Sequence, residues 1–132
     1  LRCIFARNSW CTFTRNLTTS VNNERGMQGS LVYSASKAAL RNLARGMSAE
    51  LAEKGVRVNA ISPGPIQTPL VGKLGIPAEM LDNVTQQIIQ MVPMHRWGRP
   101  EEIANVVVFL ASSASSYMMG TEIKVDGGMT SL

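Results

Sequence analysis

Apolar residues recur at spacings of three and four from Leu31 onward, placing Ala39, Leu40, Leu43, Met47 and Leu51 on one stripe. That period predicts a long amphipathic helix over 31–54, stopping near Gly55. The next stretch, "VRVNAI" (56–61), reads as a buried strand, and it leads into "SPGPIQTP" (62–69), where three prolines argue against any regular element. A weaker helical pattern covers 77–91. A third, "GRPEEIANVVVFLA" (98–111), has clear start signals: Pro100 suits the first helical position, and Glu101 and Glu102 suit the positive end of the helix dipole. "TEIKVDGG" (121–128) closes the chain as a strand that stops at a glycine turn. Upstream, "NLTTS" (16–20) reads as a short β-rich segment and "VNNERGMQG" (21–29) as its loop. Strands alternating with helices predict an α/β fold, with right-handed crossovers and a parallel sheet covered on both faces.

Residues 1–15, "LRCIFARNSWCTFTR", show neither period and do not begin with methionine, so they read as an unpatterned leader not native to the fold. This segment also changes the meaning of the charge. The chain has 132 residues and a net charge of +4, but Arg2, Arg7 and Arg15 precede every acid, and the remaining ten bases face nine acids. No stripe of Lys and Arg marks a folded face, which excludes a nucleic-acid-binding surface. The longest apolar run, Val106 to Ala111, is too short to cross a bilayer, and no apolar signal-peptide core opens the chain. A soluble cytoplasmic protein with no membrane partner is expected. Cys3 and Cys11 read as free thiols, and His95 has no Cys, Asp or second His at ligand spacing, so no metal site is expected.

The candidate chemistry lies in "SLVYSASKAAL" (30–40). On a helix, residues four apart are surface neighbours, so the Lys37 ammonium can approach the Tyr33 hydroxyl. A free phenol ionises near pH 10, too high for proton exchange at neutral pH, and a nearby cation favours the phenolate. Such a pair suits reversible proton transfer with an alcohol or carbonyl oxygen while another group carries the hydride. Taken alone, it is equally a tyrosine on a helix flank beside a solvated lysine.

Further motifs follow in order. Ser20 precedes Tyr33 by thirteen positions, and "TTS", "YSASKAAL", "VRVNAISPGPIQTPL", "RWGRPEEIANVVVFLAS" and "GTEIKVDGG" together resemble the C-terminal half of a short-chain dehydrogenase/reductase. Within that family the chain is similar to bacterial 3-oxoacyl-(acyl-carrier-protein) reductase-like and sugar or alcohol dehydrogenase-like members. The resemblance implies a partial Rossmann-type, doubly wound parallel sheet over 16–132, made of the family's C-terminal three strands with flanking helices. It implies an NAD(P)-dependent oxidoreductase interconverting a ketone and a secondary alcohol. Tyr33 would be the general acid/base, Lys37 would lower its pKa and bond the nicotinamide ribose, and Ser20 would hold and polarise the substrate oxygen. The loop after the strand, with Pro63, Gly64, Ile66 and Thr68, would lie against the nicotinamide of NAD or NADP, as ligands of open α/β sheets bind beyond the carboxyl ends of the strands. A small carbonyl or alcohol substrate and a homo-oligomer are also implied.

The family's glycine-rich phosphate turn and catalytic Asn have no counterpart in these residues, and the first four strands should precede Asn16. The chain therefore reads as a truncated form, with the open edge of the serine strand unpaired. The alternative reading is a non-catalytic remnant that associates with intact relatives. The segment 71–94 is apolar enough to cover a pocket without naming what enters it.

Overall fold

A computed structural model of the chain describes residues 18–26, 28–69 and 77–132. The leader, with Cys3 and Cys11, lies outside the described residues, as do Asn16, Leu17 and 70–76. Helix α1 spans Leu31–Leu51, strand β1 Ala60–Pro63, helix α2 Ala78–Gln90, helix α3 Pro100–Ala111 and strand β2 Glu122–Val125. β1 and β2 are parallel neighbours, with Ala60 opposite Glu122 and Ile61 opposite Ile123. The serine segment joins the other side of β1 through one parallel bridge, Thr18 to Ile61, so three strand positions lie in sequence across the sheet. The fold is α/β, and its third expected strand is reduced, among the described residues, to that bridge.

The expected first helix is present, and its last turn tightens into a 3₁₀ segment, Ala52–Lys54. Gly55 then ends it in the left-handed region at φ 68°, where glycine has no Cβ to clash. The following strand lies further along than "VRVNAI" predicts, and it runs into the proline segment. The amides of Ala60 and Gly64 face β2, donating to Thr121 and Val125 carbonyls, while Ile61 faces the serine segment. Pro63 therefore points its nitrogen to the side where that segment has already turned away, and the ladder loses no donor there. Before Ala60, the Asn59 side chain takes over pairing: its amide donates to Met118 O at 3.0 Å and its oxygen accepts from Thr121 N at 3.1 Å.

Alternation along this stretch gives the two layers their contents. Val58 and Ala60 point to α1 and form a buried cluster with Ala44. Arg57 points the other way, to the end of α3, donating to Leu110 O at 2.7 Å and Ser112 O at 3.1 Å. Helices thus cover both faces. Fully buried side chains such as Val58 and Leu110 each contribute about 1.5–3 kcal/mol.

On the α1 face, the small Ala60 side chain leaves room for its neighbours to meet over it. The Thr19 hydroxyl and the Asn23 amide both reach the nearly buried Glu122 carboxylate, and Arg41 of α1 approaches the same group at 2.7 Å. Arg41 also pairs with Glu24, which pairs with Lys124. One charged network therefore locks the turn after Ser20 against both α1 and β2.

Candidate active site

Thr19 N donates to Ile61 O at 2.9 Å, so the ladder holds the residue immediately before Ser20. Ser20 itself is extended and only 9% exposed. Its hydroxyl accepts the Asn22 amide at 3.3 Å, capping the 3₁₀ turn Val21–Asn23. Tyr33 stands in the first turn of α1, 48% exposed. Lys37 follows one turn later. Its ammonium lies 5.5 Å from the centre of the Tyr33 ring and donates to the Thr18 carbonyl at 2.9 Å. The lysine thus links the helix that carries the phenol to the segment that carries the serine.

At the end of β1 the chain passes close to its neighbour. A Cβ on Gly64 would sit 2.7 Å from the Asp126 Cα, so only glycine fits. Ile66 then makes a parallel bridge to Gly98, with Gln67 N to Gly98 O at 2.9 Å and Gly98 N to Pro65 O at 3.0 Å. A Cβ on Gly98 would meet the tip of the Ile66 side chain at 2.5 Å, so that side chain would have to turn aside.

Ser20, Tyr33, Pro63, Gly64, Ile66 and Thr68 border one cleft of roughly 320 Å³. Lys37 is not among the residues that line it. Several wall residues were not singled out by sequence reasoning: Val21, Asn22, Val84, Ile88, Trp97 and Met129. Val84, Ile88 and Met91 recur at spacings of four and three on α2, a legible stripe, but a period alone does not say what the stripe faces. The Thr18 carbonyl carries no sequence signal, because every residue has one.

Beyond Pro65 and Ile66 lies a second, charged cleft of roughly 340 Å³. There Arg96 makes two bonds to Glu102, at 2.9 and 2.7 Å, and the Arg99 amide donates to the same carboxylate at 2.7 Å. The Arg96 guanidinium, then the Arg99 amide, hold the Glu102 carboxyl down at about 2. Burial would raise Asp126, but hydrogen bonds from the Thr130 hydroxyl and the Gly128 and Thr130 amides outweigh it and keep the group below its ordinary value. Among the described residues no group of three His, Cys, Asp or Glu side chains could hold a metal ion, and no helix is long and apolar enough to cross a membrane.

The main cleft suits the nicotinamide end of a dinucleotide. Pro63, Gly64 and Ile66 offer flat apolar surface at the carboxyl end of a parallel strand, beside the Thr68 hydroxyl.

Comparison with known proteins accounts for the arrangement. Residues 16–130 match the family model described as enoyl-(acyl carrier protein) reductase. A glucose and ribitol dehydrogenase homolog of Oryza sativa subsp. japonica is 43% identical over 112 residues, covering 85% of this chain and 36% of that protein. A 3-oxoacyl-[acyl-carrier-protein] reductase of Thermotoga maritima is 39% identical over 111 residues, covering 84% of this chain and 43% of that protein. A solved protein from Agrobacterium tumefaciens, described as a gluconate dehydrogenase, superposes with a TM-score of 0.77 at 35% identity, over 87% of this chain and 44% of its own. The chain spans less than half the length of these relatives. Family model, sequence identity and superposition agree: the chain belongs to the short-chain dehydrogenase/reductase family of oxidoreductases.

Proposed function

We propose that the chain carries the proton-handling part of an NAD(P)-dependent oxidoreductase that interconverts a ketone and a secondary alcohol, with Ser20, Tyr33 and Lys37 as its catalytic set. One observation carries this reading: Ser20 and Tyr33, from separate elements, border a single cleft whose far wall is Pro63 to Thr68. Ser20 accepts the Asn22 amide through its oxygen, which leaves its hydroxyl hydrogen to donate to a substrate oxygen. Tyr33 gives its proton to that oxygen in reduction and takes it back in oxidation. Lys37 places a positive charge beside the phenol and, held by Thr18, stands where it can also meet a ribose hydroxyl. Ile66 and Thr68 would hold the nicotinamide, which would supply or accept the hydride. An assembly of like chains belongs to the same reading, because Leu31 and Val32 on α1 are each 82% exposed and Leu43 on the same helix is 53% exposed.

The test uses the chain joined to a relative's N-terminal half. Tyr33→Phe is expected to lower turnover at least a hundredfold, the scale of a lost general acid, with cofactor affinity within a few-fold of the parent. Lys37→Ala is expected to weaken both. Steady-state kinetics and cofactor fluorescence titration read the two effects, and a Tyr33→Phe variant retaining a tenth of the activity refutes the assignment.

A further inference from the structure

Two clefts flank the Pro65–Ile66 ridge, and their linings are opposite in character. One holds Arg96, Glu102, Lys124 and Asp126. In the other, beside Ser20 and Tyr33, the described wall has no carboxylate, ammonium, guanidinium or imidazole. It is built from Val21, Val84, Ile88, Met91, Trp97 and Met129. Val84 and Ile88 come from one stripe of α2 that its C-cap, Met91, continues, so the apolar character belongs to a helix face and not to a chance contact.

Among the described residues, the cations of the neighbouring segments are engaged elsewhere. Lys37 donates to Thr18 O, Arg96 is held by Glu102, and Lys124 by Glu24. A carboxylate or phosphate entering this wall would lose its water without meeting a counter-charge, and burying an unpaired charge is costly. A chain of hydroxyls fares little better. Apart from Ser20 and Tyr33, which face the reacting oxygen, the described lining offers polar groups only from Asn22, Thr68 and the Trp97 indole N–H, too few for a chain of hydroxyls, and unpaired hydroxyls lose their bonds to water.

We propose that the substrate is a small uncharged ketone or secondary alcohol with an alicyclic or branched aliphatic body, and that Val84 and Ile88 set this preference. The proposal rests on the oxidoreductase reading above and adds the substrate class. The body lies along the α2 stripe with Trp97 and Met129, and the oxygen faces Ser20 and Tyr33. Charged and polyhydroxylated compounds are rejected by the wall, independently of hydride transfer.

Binding is measured first, on chain 1–132 carrying Trp10→Phe, which leaves Trp97 as the sole indole. Its fluorescence is followed during titration with 4-methylcyclohexanol, 4-hydroxycyclohexanecarboxylate and ribitol. The first is expected to saturate at a concentration at least tenfold lower than the other two. Ile88→Lys should shift the alcohol-to-carboxylate ratio at least tenfold toward the carboxylate. Val84→Lys, one turn away, should do the same, and circular dichroism confirms which variants fold. Equal or tighter binding of the carboxylate or ribitol, a ratio unmoved in the folded lysine variants, or no saturation by the alcohol overturns the proposal. Turnover is then measured with NAD+ and NADP+ as hydride acceptors in the chain joined to a relative's N-terminal half. An alcohol that binds but is never oxidised overturns the oxidoreductase reading and leaves the cleft's preference standing. Faster turnover of the carboxylate overturns the preference and leaves the reading intact.

Discussion

Gly64 shows how one residue couples the sheet to the cleft. Its backbone angles are ordinary; what demands glycine is space, since the Asp126 backbone occupies the place of a Cβ. Gly64→Ala should separate the ends of β1 and β2, costing about 1–3 kcal/mol, as overpacking of a close contact does. Urea denaturation of the variant checks this, and a loss under 0.5 kcal/mol, roughly the scale of a neutral surface change, contradicts it. Because Gly64 also borders the cleft, the variant should weaken any ligand seated against Ile66 as well. Tyr33 and Lys37 teach a different lesson. Their spacing announced a pair, but the pair's anchor is the Thr18 carbonyl, a group that no residue name reveals.

Helix α3 illustrates what an element needs beyond its own sequence. Its start is local: Pro100 has no amide hydrogen to lose, and Glu102 reaches back to the Arg99 amide, one half of a capping box. Glu102 is depressed to about 2 from an ordinary value of 4.5, first by Arg96 and then by the Arg99 amide. A depressed carboxyl stabilises the fold above its unfolded value and loses that contribution as protons return to it. Stability should therefore fall as pH drops from about 4.5 toward about 2. Glu24 and Asp126, also depressed, act in the same direction, so the share of Glu102 is isolated by comparing urea midpoints of the parent and Glu102→Gln across this range. The difference between the two should shrink on acidification. A constant difference would mean that the carboxylate charge does not support the helix start.

At the scale of the whole molecule, Arg57 joins parts that sequence distance keeps apart. It is fully buried, and its guanidinium bonds the carbonyls of Leu110, Ser112 and Met118. Burial pushes its pKa below the ordinary value. Three carbonyls around one planar donor set tie the end of α3 and the approach to β2 onto the strand that carries the cleft. Arg57→Met removes three hydrogen bonds, although Ser115 still donates to the Leu110 and Ser112 carbonyls and Asn59 to that of Met118, and should cost roughly 1.5 kcal/mol or more, from about 0.5–1.5 kcal/mol for each bond lost. Arg57→Lys should recover part of this, since one ammonium cannot match the fork of a guanidinium. Thermal and urea unfolding measure both, and an Arg57→Met variant as stable as the parent would show that water replaces the bonds.

Much of this protein was legible in the residues alone. The helix over 31–54, the start at Pro100, the strand–helix alternation and the serine, tyrosine and lysine spacing all depend on local periods and short motifs, which act within a few residues and so are written along the chain. Tertiary structure decided the rest. Whether Pro63 ends a strand or joins one depended on which side its nitrogen faces in the sheet, and that is known only once the serine segment lies beside β1. Arg57 reads as a polar interruption in a strand until three distant carbonyls surround it. The apolar residues of 71–94 suggest a pocket cover, but only the fold brings Val84 and Ile88 to one cleft with Trp97 and Met129. In each case the deciding group comes from tens of residues away, and pairing over such distances leaves no period in the sequence, because only packing brings the partners within a bond's reach.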